Sequence, residues 1–412
     1  MAAGIPPSVT ISMRKARDER VLDWIVVVRN AMLQLAVGGR RSEQNVVPLQ
    51  VRQFDCVQQI RDAAPAWDRL WQRSEVSLPT VRAELVAQWL EHFAPRAALR
   101  VLVVEEDGEM VAALPLVGRR HRRVLPVGDL TGNVWSYNGE LLLDPAVDPA
   151  PVLDLLADAW TGLPWPLVWL DMVPAAAGRW HALLEAFSRR GLAADIHQRY
   201  RIGQVQLEGD FAQYEAARSK NLRRQVRKDW RRLERDGAVD VTIHSQLTPD
   251  EVDACLRQAF EIEDHSWKGE SGQTVLSTPG IFQFYRREAR QLAQWGYLRV
   301  AFLRHRGEPI AFEVGWTAKG VYHSFKVGYD ERYAQCSPGH LLRSELIRAF
   351  WDRPGQTLID FQGPVTEALA RWSTRFYPIS RVVIAPRRPG SRALLAGYRL
   401  AAPVVRRLRA RG

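Results

Sequence analysis

The stretch SFKVGYDERYAQCSPGHLLRSELIRAF, residues 324–350, holds the residues with the clearest chemical use. Phe325, Val327 and Tyr329 alternate as in a strand, and Leu341, Leu342, Leu346, Ile347 and Phe350 recur at helical spacing. Between them lies Ser337-Pro338-Gly339. Proline suits a first helical turn, where its missing N–H costs nothing, and glycine lets another group come close. Ser337 reads as the N-cap. A helix start carries unpaired N–H groups and partial positive charge, so this one is suited to an anion. Lys326 projects from one face of the strand, because Phe325 and Val327 take the other.

A second cationic feature is SKNLRRQVRKDWRRLERDG, residues 219–237. Arg223, Arg224, Arg227, Lys228, Arg231 and Arg232 fall around a helix whose Leu222, Val226, Trp230 and Leu233 form an apolar stripe. Such a helix docks by its stripe and offers its cations to solvent or to an anion. Among groups able to move protons, Glu263 and Asp264 end a predicted helix, His323 lies on a strand, and Asp330 and Asp360 end strands. Cys56, Cys255 and Cys336 are odd in number and include no Cys-x-x-Cys pair, and no histidines stand at ligand spacing. Neither a disulfide framework nor a metal is expected.

These groups need a large scaffold. At 412 residues, with 46% apolar and 25% charged residues, the chain reads as a globular protein of two domains. No apolar run has the length of a membrane span, and Asp23 and Arg29 interrupt the best candidate, so the cytoplasm is expected. The net charge is +11, carried by 57 basic residues of which only six are lysines. A basic surface favours anionic partners. The tail SRALLAGYRLAAPVVRRLRARG (391–412) is a basic amphipathic segment that offers contact with the inner face of an anionic membrane.

Patterning predicts one plan twice. In the second half come strand 239–244, helices 248–264 and 279–295, and strands 297–304, 309–317 and 321–329. Helix 338–351, strand 357–361, helix 365–374 and strand 380–385 follow. The first half reads as strand 47–54, helices 58–73 and 80–93, strands 99–105 and 109–117, helix 150–161, strand 167–172, helix 175–190 and strand 195–207. DGEMVAALPLV matches RGEPIAFEVGW, and LVWLD matches TLIDF. The expected organisation is an extension over 1–46, a domain over 47–207, a bridging basic helix over 208–237, a second domain over 238–386 and a basic tail over 387–412.

The element order, with SKNLRRQVRKDWRRLERDG, SWKGESGQT, FYRREARQLAQWGYLRVAFL, KVGYDERYAQCSPGHLL and the weaker WSYNGELLLDP, resembles the GNAT acyltransferase fold. More specifically, about 48–385 is similar to the tandem branch related to CelD and BioF2-type acetyltransferases, akin to the FemABX peptidyltransferases. The resemblance implies an α/β fold with a mixed sheet, as two tandem GNAT-like domains. It implies an acyltransferase using acyl-coenzyme A, most simply acetyl-coenzyme A, to modify an amine or hydroxyl of a cell-envelope or exopolysaccharide precursor. Lys326, Gly328, Ser337, Pro338, Gly339 and His340 would hold the donor. Glu263 or Asp330 would be the base, and Tyr377 the acid toward the leaving thiolate. Trp267 and Lys268, with Tyr137 and Asn138, would bind the acceptor, and Arg223, Arg224 and Arg227 an anion. The sequence has a single glycine in QCSPGH where GNAT proteins carry Gly-x-Gly, which leaves acyl carrier protein or aminoacyl-tRNA open as donor. Two alternatives stand beside this reading: an aminoacyl-tRNA-dependent peptidyltransferase, and a non-catalytic accessory of polysaccharide synthesis. No DNA partner is expected.

Overall fold

The computed structural model describes residues 48–121, 123–266 and 272–409. Strand β1 (Gln50–Phe54) precedes α1 (Val57–Asp62), α2 (Ala64–Arg73) and α3 (Ala83–Phe93). Then come β2 (Leu99–Glu106), β3 (Glu109–His121), β4 (Leu125–Leu130), β5 (Leu142–Leu143), α4 (Pro149–Ala159), β6 (Leu167–Val173), α5 (Gly178–Arg189) and β7 (Ala193–Gln206). Short α6 (Phe211–Ala217) and long α7 (Lys220–Asp236) lead to β8 (Val239–His244), α8 (Pro249–Asp264) and α9 (Ile281–Gln294). The second half continues through β9 (Leu298–His305), β10 (Glu308–Ala318), β11 (Val321–Tyr329), α10 (Pro338–Trp351), β12 (Leu358–Asp360), α11 (Glu367–Ala370), β13 (Arg375–Ala385) and α12 (Pro389–Arg409).

All described strands join one mixed sheet in the order β1-β2-β3-β4-β6-β13-β7-β12-β11-β10-β9-β8, with β5 beside β3. Read from its two edges, the order is the same plan twice. At the centre the halves exchange their last strands: β13 pairs with β6, β7 pairs with β12, and β7 and β13 pair with each other. The exchange makes Leu49–Gly412 one compact unit.

The core follows from this arrangement. Trp67, Trp71 and Trp89 from α2 and α3 share one buried cluster with Phe260, Phe302, Phe312 and Trp316 of the second half. Losing one such side chain costs about 3–5 kcal/mol. Helix α7 docks by the stripe read from sequence: Leu222 and Leu233 are buried, and Val226 and Trp230 pack beside them, in the cluster that holds α10. No described helix is long and apolar enough to cross a membrane.

Several elements differ from expectation. The helix expected over 58–73 breaks at Ala63, with Pro65 in the first turn of α2. Strand β4 has no counterpart in the sequence pattern, because LPVGDL carries proline, glycine and aspartate. Strand β13 begins at Arg375, not 380, since long pairing with β7 overrides a weak local pattern.

Candidate active site

The parallel pairing of β11 with β12 covers only Val321–His323 against Leu358–Asp360, after which the strands part. The first half repeats this: β4 meets β6 only over Val127–Gly128 and Leu167–Val168. A cleft of about 940 Å³ reaches both partings. Its floor is the exchanged pair, where register puts Tyr200, Ile202 and Gln204 on the same face as Ile379, Tyr377 and Arg375. Four inter-strand steps of about 4.8 Å separate β4 from β12, so the cleft's two ends lie roughly 19 Å apart along the sheet.

At the β12 end, Asp360 is buried and accepts four hydrogen bonds. Tyr377 Oη (2.9 Å) and Gln204 Nε2 (2.6 Å) donate to Oδ2, and the Gln362 backbone N (2.8 Å) and Nε2 (3.1 Å) donate to Oδ1. A carboxylate has about four acceptor sites, so Asp360 is an anchor with no acceptor capacity left. Gln362 takes a left-handed φ of 57°, and its Nε2 also lies 2.9 Å from His323 Nδ1. His323 Nε2 is 3.1 Å from Ser77 Oγ. Burial pushes His323 down to about 4, partly offset by nearby Asp360, so the ring is neutral at pH 7. Burial and the adjacent Asp360 raise the Tyr377 phenol well above its ordinary range, which makes it a poorer acid than free tyrosine.

Ser77 belongs to a first-half segment gripped from the second half. Lys319, in the turn between β10 and β11, donates to the carbonyls of Trp71, Ser74 (2.8 Å) and Val76 (2.9 Å). Its ammonium also sits 4.4 Å from the Trp71 ring centroid. Burial lowers the amine to about 8, so it stays largely charged at pH 7.

The β4 end is built on Asp129 and Asp171. Asp129 accepts from the Leu130 N at 2.8 Å and lies 3.4 Å from Arg119. Asp171 takes Arg199 at 2.9 Å and Arg381 at 2.7 and 2.9 Å. Burial lifts Asp129 to about 7 against the pull of Arg119, and nearby Asp171 adds to the rise. Four to five inter-strand steps from His323, about 19–24 Å along the sheet, this cluster is suited to the far end of an extended ligand and not to the reacting atom.

The residues expected from sequence fall into separate places. Of the three residues that the resemblance assigns as base or acid, Tyr377 lines the cleft, whereas Glu263 is buried and accepts from the Val275 N at 3.1 Å. Asp330 is held by Arg332 and caps the short turn Glu331–Cys336. Tyr137 lines the cleft; Asn138 beside it is buried and donates to the carbonyls of Thr80 and Leu85 at 3.0 and 3.2 Å. Lys326 Nζ lies 4.9 Å from the Trp135 ring and 5.6 Å from that of Tyr285, between the halves. Gly328 is required by packing, since a Cβ there would come within 2.5 Å of Phe312. Pro338 opens α10 as expected. Ser337 does not cap it: the residue is left-handed, at φ 45°, and its side chain makes no capping bond. Gly339 is open, and a methyl group on its Cα would meet only Tyr329 Cδ1, at 3.7 Å. His340 Nδ1 accepts from Trp372 Nε1 at 3.0 Å. Arg223 donates to the Arg218 carbonyl, while Arg224 and Arg227 line an exposed groove. Trp267 and Lys268 lie outside the described residues. Sequence reading passes over Ser77, Lys319, Asp129 and Arg119, whose importance comes from contacts between distant segments.

Residues 220–368 match the family model of the acetyltransferase (GNAT) domain. The fold is a GNAT fold. The matched segment begins with α7, contains the β11–β12 parting and the start of α10, and ends in α11. Among solved structures, FemX is similar at a TM-score of 0.52 and 9% identity, covering 80% of this chain and 96% of its own. A conserved protein of unknown function from Bacteroides thetaiotaomicron is similar at 0.50 and 12% identity, covering 82% of this chain and 100% of its own. At such identities the likeness is one of fold. No curated protein matches the sequence.

Proposed function

We propose that the protein transfers an acyl group from acyl-coenzyme A to an amine or hydroxyl of a cell-envelope or exopolysaccharide precursor, as CelD and BioF2-type enzymes would. In this reading residues 238–386 hold the donor and residues 47–207 shape the acceptor side, joined by the basic segment 208–237. One observation carries it: the β11–β12 parting in the GNAT domain opens at His323 and Asp360 into the long central cleft. A pantetheine arm lying along the side of β11 freed by the parting would bring its thioester to an acceptor lying on β7 and β13. The donor's diphosphate fits the start of α10, where Gly339 leaves space; the His340 and Leu341 N–H groups donate to the Ser337 carbonyl, so the Gly339 N–H is the one offered to the anion.

Isothermal titration of the full chain with acetyl-coenzyme A and longer acyl-coenzyme A species tests the donor. Micromolar binding, with thiol release on adding aminosugar acceptors, supports the proposal. A folded protein that binds none of these thioesters would sink it. The exposed cations Arg224, Arg227, Lys228 and Arg231 on α7 favour a second reading, an aminoacyl-tRNA donor as in the FemABX peptidyltransferases.

A further inference from the structure

We propose that Ser77, supplied by the first half, donates its hydroxyl hydrogen to the thioester carbonyl oxygen at the β11–β12 parting and holds the oxyanion that forms there. The inference rests on the acyl-thioester reading above and adds to it a residue outside the matched domain.

The direction of the hydrogen follows from a chain of four residues. Asp360 Oδ1 can only accept, so the Gln362 group facing it at 3.1 Å is the amide nitrogen. That same Nε2 lies 2.9 Å from His323 Nδ1, which therefore accepts as well. In a neutral imidazole the other nitrogen then carries the hydrogen. Nε2–H accordingly donates to Ser77 Oγ at 3.1 Å. This tautomer prevents His323 from acting as a base toward Ser77, so an acyl-serine route is disfavoured. It also fixes what the hydroxyl does next. With a lone pair taken by the ring, the Ser77 O–H points its own hydrogen elsewhere, and Ser77 lines the cleft. The segment is held in place by the Lys319 grip on the carbonyls of residues 74 and 76.

In the step served, the acceptor's lone pair forms the new bond to the carbonyl carbon, and the C=O π pair moves onto oxygen. Its return breaks the C–S bond, and the thiolate leaves with that pair. The acceptor's proton goes to the thiolate or to solvent. A hydroxyl aimed at the oxygen lowers the barrier because charge grows there.

Titrating the full chain with acetyl-coenzyme A and with S-ethyl-coenzyme A, a thioether of the same length without the carbonyl oxygen, tests this directly. Wild type should prefer the thioester by about 3- to 10-fold, the range of one neutral hydrogen bond. Ser77→Ala should abolish the preference by weakening the thioester alone, and Ser77→Thr should keep part of it. A purely structural role would weaken both ligands together, which overturns the proposal, as does a preference that survives in Ser77→Ala or is missing from wild type. Failure of wild type to bind either ligand overturns the donor reading itself, and this proposal with it.

Discussion

Gln204 on β7 donates to Asp360 on β12 at 2.6 Å, so the last strand of the first half is fastened to the parting of the second. Tyr377 on β13 donates to the same carboxylate oxygen atom at 2.9 Å. One buried carboxylate thus joins three strands drawn from both halves. Removing a donor leaves it under-satisfied, at about 1–3 kcal/mol. Gln204→Leu and Tyr377→Phe should each lower the unfolding free energy read from urea titration by that amount. Unfolding should stay a single transition, because neither half owns a complete sheet. Two resolved transitions in wild type would contradict the exchange of strands.

Lys319 should be a strong single contributor to the contact between the halves. Lys319→Met keeps the stem and removes a charged donor from three carbonyls. A loss of about 2–3 kcal/mol is expected, on the scale of charge-assisted bonds. Hydrogen exchange should speed up over residues 71–78 before it does elsewhere. Uniform acceleration throughout the chain would argue against a local grip.

Two cleft residues should tilt the stability–pH curve in opposite directions. Asp129 titrates at about 7 against an ordinary 3.8. A raised carboxyl favours folding while protonated, so its contribution is full below 3.8 and is lost as pH rises through 7. Asp129→Asn should gain on wild type across that window. His323 titrates at about 4 against 6.5, so its contribution is full above 6.5 and is lost as pH falls through 4. His323→Gln should flatten the acid limb. Each pH unit of separation is worth up to about 1.4 kcal/mol, which melting curves at half-unit steps resolve. A curve unmoved by either variant would show that neither group is held as described.

Gly339→Asp tests the start of α10. A side chain there meets only the edge of Tyr329, so folding should survive. Its carboxylate would oppose the donor's diphosphate, and affinity should fall by about 2 kcal/mol, some 30-fold. Equal affinity in a folded variant would move the diphosphate elsewhere.

The parts of this design that are legible in sequence are the locally encoded ones. Strand β11 and helix α10 can be read to the residue, because alternation gives way to helical spacing at a proline. The stripe on α7 is equally plain. The exchange of β7 and β13 is invisible, since nothing in either strand names its neighbour. Asp360 and Tyr377 can be suspected singly, but their hydrogen bond and that of Gln204 depend on the exchange. Ser77 is a serine in an ordinary loop until His323 arrives from 246 positions away. Ser337 misleads for a related reason: its type suits a cap, but the preceding turn leaves its backbone left-handed.

The nature of the donor should be decided by the exposed face of α7. Arg224, Arg227, Lys228 and Arg231 are exposed and line one groove, whereas the helix's apolar stripe faces α10. Arg223 is a poor probe because its Nε is engaged by the Arg218 carbonyl. Arg224→Ala with Arg227→Ala removes two cations without touching the stripe, so stability should change by less than about 0.5 kcal/mol. If a tRNA backbone lies in the groove, each lost phosphate contact should flatten the slope of log K against log salt by about 0.7–0.9. The double variant should then lose about 1.4–1.8 from that slope, with binding weakened most at low salt. Acyl-coenzyme A held at the start of α10 gives no such change. Its affinity and salt slope should match wild type in the double variant. Anisotropy titrations of both ligands over about 50–200 mM salt distinguish these outcomes. A flattened tRNA slope, with acyl-coenzyme A failing to bind, would replace the coenzyme A reading with the peptidyltransferase one.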